Sequence, residues 1–154
     1  RGRLELEVTE GALIHNVEAA FLLLDRLSRS GIKIAVDDFG TGYSSLSYLK
    51  RFPLNRVKID RSFISELDSA GEDRAIVGAI VSLAHALGME AIAEGVETLA
   101  QQRWLATIGC DQAQGNRYGR PLPHNEIVTR WSSGDRQPAQ GDRQTANVLA
   151  EAPS

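Results

Sequence analysis

Four of the five strand-like runs in this sequence end on a carboxylate. Glu7 and Glu10 stand at the end of the first run and Asp37 and Asp38 at the end of the second. Lys58 and Asp60 lie in the third, Glu94 and Glu97 end the fourth, and Gln114 ends the fifth. Burying several carboxylates together raises their pKa values and costs stability unless cations neutralise them. Divalent metal ions do that. Because no Cys or His occupies these strand ends, the oxygen-only set points to Mg2+ or Mn2+ over zinc. Without a histidine base, a water activated by metal and carboxylate is the economical nucleophile. Lys58 alternates with Val57 and Ile59 and so faces away from them, into the interior, where a structural ion pair with an Asp or Glu is the plainer alternative. The Asp37–Asp38 pair and the glutamates Glu94 and Glu97 also have plain readings, as turn or helix caps and surface residues. Of the three histidines, His15, His85 and His124, the second lies within a helix and the third in a Pro-flanked turn, and both read as structural or solvated. Cys110 reads as packing.

The elements that position these residues follow a strand-then-helix rhythm, the pattern of parallel βα units. Strands are predicted at Leu4 to Thr9, Ile32 to Asp38, Arg56 to Asp60, about Glu90 to Glu94, and near Gln112 to Gln114. Between the first two, Val17, Phe21, Leu24 and Leu27 fall at helical spacing, with Asn16 to cap and Gly31 to stop. A second helix is predicted from about Asp73 to Leu87, with Ile76, Ile80, Leu83 and Leu87 on one stripe and Gly88 as a left-handed stop. A third begins at Thr98, where Thr-x-x-Gln through Gln101 forms a capping box, and ends before Gly109. In Asp-Asp-Phe-Gly-Thr-Gly-Tyr-Ser-Ser, residues 37 to 45, two glycines mark a tight loop and the hydroxyls can cap a short helix over Leu46 to Lys50. From Ser132 to Ser154 the composition turns to Ser, Gly, Asp, Gln and Pro, which reads as a disordered tail after a domain portion over residues 1–131. Such units build either a small doubly wound sheet or the later part of a (β/α)8 barrel. The only methionine is Met89 and a full barrel takes about 250 residues, so a barrel met part-way through is the expectation.

Composition excludes several classes. The 154 residues carry 17 Lys+Arg against 20 Asp+Glu and are 42% hydrophobic, the balance of a globular protein and neither fibrous nor wholly disordered. A formal net charge of -3 gives no electrostatic reason to bind DNA, RNA or a membrane surface nonspecifically. No run approaches the roughly 18–20 apolar residues that span a bilayer, and one lone cysteine suits a reducing compartment, so the cytoplasm is the expected location.

Six segments resemble the EAL domain of bacterial cyclic di-GMP phosphodiesterases: Leu-Glu-Leu-Glu-Val-Thr-Glu (4–10), Asp-Asp-Phe-Gly-Thr-Gly-Tyr-Ser-Ser-Leu (37–46), Val-Lys-Ile-Asp (57–60), Ala-Glu-Gly-Val-Glu (93–97), Gln-Gly (114–115) and Gly-Arg-Pro-Leu-Pro (119–123). The resemblance covers residues 1 to about 130. It implies an α/β fold, a TIM-like (β/α)8 barrel of which this chain holds the later strands and helices, and metal-dependent hydrolysis of cyclic di-GMP to linear pGpG at a two-metal site. By position, Glu7 matches a metal ligand, Asp37 a carboxylate bridging two metals and Asp38 a ligand of the second. Lys58 matches a lysine contacting the attacking water, Glu94 a base or water-mediated metal partner, and Gln114 a glutamine supporting that water. Glu10 matches the residue that holds the Asp-Asp-Phe-Gly loop, with Glu97 and Asp60 in supporting positions.

The Glu-x-Leu segment that names the domain, and an Asn on the strand after it, would lie upstream of Arg1. The resemblance therefore implies that these residues alone are inactive, and exposed apolar strand edges imply that they fold poorly alone. Many relatives dimerise and carry upstream sensory or cyclase-like domains, and a membrane anchor of the parent would lie in such upstream segments. A non-catalytic cyclic di-GMP receptor or interaction module, and a different metal-dependent hydrolase, are the alternatives.

Overall fold

Apolar residues alternating with charged ones build the first three strands, shorter Ala-containing runs complete a set of five, and every pairing between them is parallel. They are β1 (Glu5–Thr9), β2 (Lys33–Phe39), β3 (Arg56–Ile59), β4 (Glu90–Ala93) and β5 (Gln112–Ala113) in this computed structural model, which describes residues 4–40, 49–68 and 71–132. Their order in the sheet is their order in the chain, β1-β2-β3-β4-β5. A doubly wound sheet reverses direction at a switch point; this sheet does not, so it winds one way, as a barrel does. The tail beyond residue 132 and most of the short helix expected over 46–50 lie outside the described residues.

The helices are α1 (Glu10–His15), α2 (Val17–Arg29), α3 (Arg61–Ser65), α4 (Gly71–Ala86), α5 (Leu99–Thr107) and α6 (His124–Ser132). Asn16 caps α2, its side chain accepting from the Ala19 N–H, and Gly31 follows with φ +85°. The capping box at Thr98 and Gln101 is present in full. Two expectations shift. The buried stripe of α4 is Val77, Ile80, Val81 and Ala84, while Ile76 is exposed, because the smaller Val and Ala face the sheet. His124 is the first residue of α6 and exposed, the prolines before it leading into a helix instead of an isolated turn.

The sheet's two faces differ in chemistry. Ile34, Val36, Val57, Ile59, Ala91 and Ala93 are buried against the helices, joined by Ile64, Leu67, Val77, Val81 and Leu105. The opposite face carries Glu5 and Glu7, Ala35 and Asp37, Arg56 and Lys58, Glu90 and Glu94, Gln112 and Gln114, at intervals of two or four residues, as side chains on one face of a strand require. Burial does not track that alternation within β2 and β3, where Ala35 and Lys58 are as enclosed as their neighbours, since parallel strands are covered on both sides.

Candidate functional site

The second strand loses its regular pairing where the two aspartates lie. Val36 stands opposite Val57 and Phe39 opposite Ile59, so Asp37 and Asp38 share the single partner Lys58 in a β-bulge. Asp38 takes up the extra residue with φ +55°, the only positive φ of a non-glycine among the described residues, and is exposed. A short polar side chain tolerates that conformation better than a bulky one.

Lys58 is the centre of the site. Its Nζ lies 2.9 Å from Glu7 Oε2, 2.9 Å from Asp37 Oδ1 and 2.8 Å from Glu94 Oε1, drawing onto one ammonium two carboxylates from β1 and β2 and one from the residue just past β4. Burial alone pulls its pKa down, but the carboxylates of Glu94, Glu7 and Asp37 around it outweigh that and hold it above the usual lysine range. The Lys58 side chain is 8% exposed, against 51% for Glu7, so the ammonium is sealed while the outer carboxylate meets solvent. Gln114 adds a fourth contact, its Nε2 donating to the same Glu94 Oε1 at 2.8 Å.

Around this centre the other expected residues separate. Glu10 is buried at the start of α1, and its Oε2 accepts from the Gly40 N–H at 3.2 Å, just past the aspartate bulge. Glu97 is exposed and receives the Asn116 amide at 3.4 Å. Asp60 falls one residue beyond β3 and caps α3, accepting from both the backbone and the hydroxyl of Ser62, which hold its pKa below the usual carboxylate range. Its charge is therefore directed at its own helix.

The loops after β4 and β5 are stitched together by the Val96 N–H to Gln114 O and the Arg117 N–H to Val96 O, both at 3.0 Å. Gly115 permits this closeness, since a Cβ on it would lie 2.3 Å from the Val96 backbone, while Gly95 lets the β4 loop approach α3, where a Cβ would lie 2.6 Å from Arg61 Cβ.

Sequence reading missed a second ion cluster on the same sheet face. Arg56 donates to Glu90 Oε2 at 2.6 Å and to Glu5 Oε2 at 3.0 Å. The signal was there in the two-residue spacing of Glu5 to Glu7 and Arg56 to Lys58.

The donor set suits an oxygen-loving divalent cation: three carboxylates face one ammonium, and Asp37 Oδ1 is buried with a charge contact to Lys58 but no aligned hydrogen bond. Among the described residues, no three His, Cys, Asp or Glu side chains already form a metal cage, the centre being occupied by Nζ.

A singly wound parallel sheet with its carboxylates gathered at the strand ends defines the class: an α/β barrel with a site at the carboxyl ends of its strands. Residues 1–121 match the EAL domain family, and the chain belongs to it. It is 50% identical over 123 residues to the bifunctional diguanylate cyclase/cyclic di-GMP phosphodiesterase MucR of Pseudomonas aeruginosa, covering 80% of this chain and 18% of that protein. The PaMucR phosphodiesterase solved in complex with c-di-GMP superposes with a TM-score of 0.79 at 49% identity, over 82% of this chain and 51% of that one. The Klebsiella pneumoniae BlrP1 complex with manganese and cyclic di-GMP superposes at 0.73 with 37% identity, over 79% and 31%. The chain thus spans about half of the solved MucR chain and under a fifth of the full MucR length. The fold is that of a TIM-like barrel, seen here as five of its strands.

Proposed function

We propose that this chain supplies the later strands of the active site of a cyclic di-GMP phosphodiesterase that uses Mg2+ or Mn2+ and releases linear pGpG. The observation that carries the reading is the convergence of Glu7, Asp37 and Glu94 on Lys58, with Gln114 bound to Glu94. Glu7, Asp37 and Asp38 would hold the two metal ions, which when bound supply Lewis acidity toward the phosphoryl oxygens and lower the pKa of a water. Lys58 and Gln114 orient that water, and Glu94 receives its proton. The oxygen adds to phosphorus, one phosphorus–oxygen bond of the ring breaks, and the leaving sugar oxygen takes up a proton. Glu10 keeps the aspartate loop in register through Gly40, with Glu97 and Asp60 behind the site. The relatives named for this activity, and those solved with the dinucleotide, support the substrate.

Upstream ligands from a Glu-x-Leu segment complete the site, so the 154 residues by themselves are inactive. A homodimer and upstream sensory or cyclase-like domains in the same chain, with this domain in the cytoplasm, complete the proposal; among the described residues no helix is long and apolar enough to cross a membrane. A receptor that binds without turnover is the second reading, favoured by the ammonium at the centre of the carboxylates. The deciding measurement is conversion of cyclic di-GMP by the full-length protein with Mg2+ or Mn2+, beside Asp37→Ala. Turnover that vanishes in the variant supports the enzyme; binding without turnover in the unmodified protein establishes the receptor; turnover by the isolated 154 residues overturns their dependence on upstream ligands.

A further inference from the structure

Gln101 is a polar side chain buried to 4% exposure on the first turn of α5, where a helix cap would ordinarily be solvated. Both ends of its amide are engaged. Its Oε1 accepts from the Glu97 N–H at 2.9 Å and the Thr98 N–H at 3.0 Å, and its Nε2 donates to the Ile64 carbonyl at 3.0 Å. A capping box accounts for the bond to Thr98 N–H and for the return bond from the Gln101 N–H to Thr98 Oγ1 at 3.1 Å. It does not account for Glu97 or for Ile64, which belong to different elements. Ile64 lies in α3, the helix that follows directly on the strand carrying Lys58; Glu97 lies on the loop that follows Glu94. The same two segments touch at Gly95 and Arg61, packed too closely for a Cβ.

We propose that Gln101 is a positioning residue for the reaction, fixing the Glu94 loop against the β3–α3 unit so that Glu94 meets Lys58 at 2.8 Å. The inference rests on the phosphodiesterase reading for its consequence in turnover, but its structural claim stands apart from it. A buried amide whose oxygen and nitrogen bond to different segments favours one arrangement of those segments, and replacing it leaves their buried backbone groups without partners. A displacement of the base by about 1 Å is enough to lower the rate by about two orders of magnitude.

The test is steady-state kinetics on cyclic di-GMP with Mn2+, using the full-length protein, Gln101→Met and Thr98→Ala. Gln101→Met removes both arms of the amide at similar volume, whereas Thr98→Ala weakens the cap and leaves the links to Glu97 and Ile64. For Gln101→Met, kcat falls about 10- to 100-fold with KM within about threefold, the pattern of a contribution made in the transition state. Thr98→Ala lowers Tm and keeps kcat. Unchanged kcat in a Gln101→Met protein that still unfolds cooperatively would overturn the proposal, as would an equal loss of kcat in Thr98→Ala. Amide hydrogen exchange in the unmodified protein decides the case if Gln101→Met does not fold: protection of the Glu97 N–H supports the clamp, and exchange at the rate of an open loop overturns it. Absence of turnover in the unmodified protein would sink the phosphodiesterase reading and leave the exchange result to judge Gln101.

Discussion

Two ion clusters share one face of the sheet, two residues apart along the same strands, and they are built differently. At the amino ends, the Arg56 guanidinium is held between Glu5 and Glu90, and Gln112 donates to Glu90 Oε2 at 3.3 Å. At the carboxyl ends, one Lys58 ammonium faces Glu7, Asp37 and Glu94. Arginine is a rigid planar fork with a permanent charge, suited to bridging two carboxylates in a fixed geometry; lysine is a compact point charge that gathers ligands around it. The first cluster has one carboxylate beyond neutrality, the second has two, with the exposed Asp38 beside it. On the proposed function the uncompensated negative charge at the carboxyl ends serves to hold cations, whereas the smaller excess at the amino ends ties strands together, in keeping with the division of barrels into a catalytic and a stabilising end.

The sharpest test of that division is to remove each cation in the full-length protein. Lys58→Met is expected to lower kcat by about 10²–10³-fold, as for loss of a group that stabilises the reacting charge. Arg56→Met is expected to keep kcat, and an equal loss of rate in the two variants would break the comparison. Next in size is the response to metal: Mn2+ at about a hundred times its Kd should stabilise the unmodified protein by about 2.7 kcal/mol, read as a rise in the denaturant midpoint, and stabilise Asp37→Ala much less. An equal rise in both would place the cation elsewhere. Arg56→Met should cost roughly 1.5–3 kcal/mol in the same unfolding measurement, the value of hydrogen bonds to charged groups.

Smaller effects come from groups just outside the clusters. Asp60→Ala removes the cap of α3 and should cost about 1 kcal/mol. Because the folded pKa of Asp60 is lowered, its contribution is fully present above the unfolded value near pH 4 and is lost as pH falls through the folded value. Urea midpoints between about pH 6 and 2, which bracket that window, should therefore fall more for the unmodified protein than for Asp60→Asn, and parallel curves would show that the charge of Asp60 contributes nothing to the cap. Near the amino ends, Cys110 is buried and its thiol is pushed up to about 11. It should stay unlabelled by a maleimide in the folded protein at about pH 8, where a free thiol reacts through its thiolate, and become labelled on unfolding.

Local patterns already in the sequence account for much of this. The capping box of Thr98 and Gln101, the Asn16 cap and the glycine stop at Gly31 depend on neighbours three or four residues apart, and so do not need the rest of the chain. The side of β3 that holds Lys58 follows from alternation with Val57 and Ile59. Where alternation was the whole argument it reached its limit: it places Asp37 and Asp38 on opposite faces of β2, and only the bulge opposite Lys58 alters that. The α4 stripe moved by one residue because helical spacing leaves neighbouring stripes in competition, and the sheet selects the one whose side chains fit beneath it.

By itself the sequence determined the order of the five strands and of the helices α2, α4 and α5 between them, and the carboxylates at the strand ends, because these depend on periodicity and capping within a few residues; α1, α3 and α6 carry too few periodic residues to show themselves. Tertiary structure decided the rest: one-way winding of the sheet, Lys58 as the meeting point of Glu7, Asp37 and Glu94, Arg56 as its counterpart, and Gln101 as a link between α3 and the Glu94 loop. Those relations join residues some 20 to 50 positions apart, and their charges and hydrogen bonds find each other only when burial of the apolar face has brought the strands side by side.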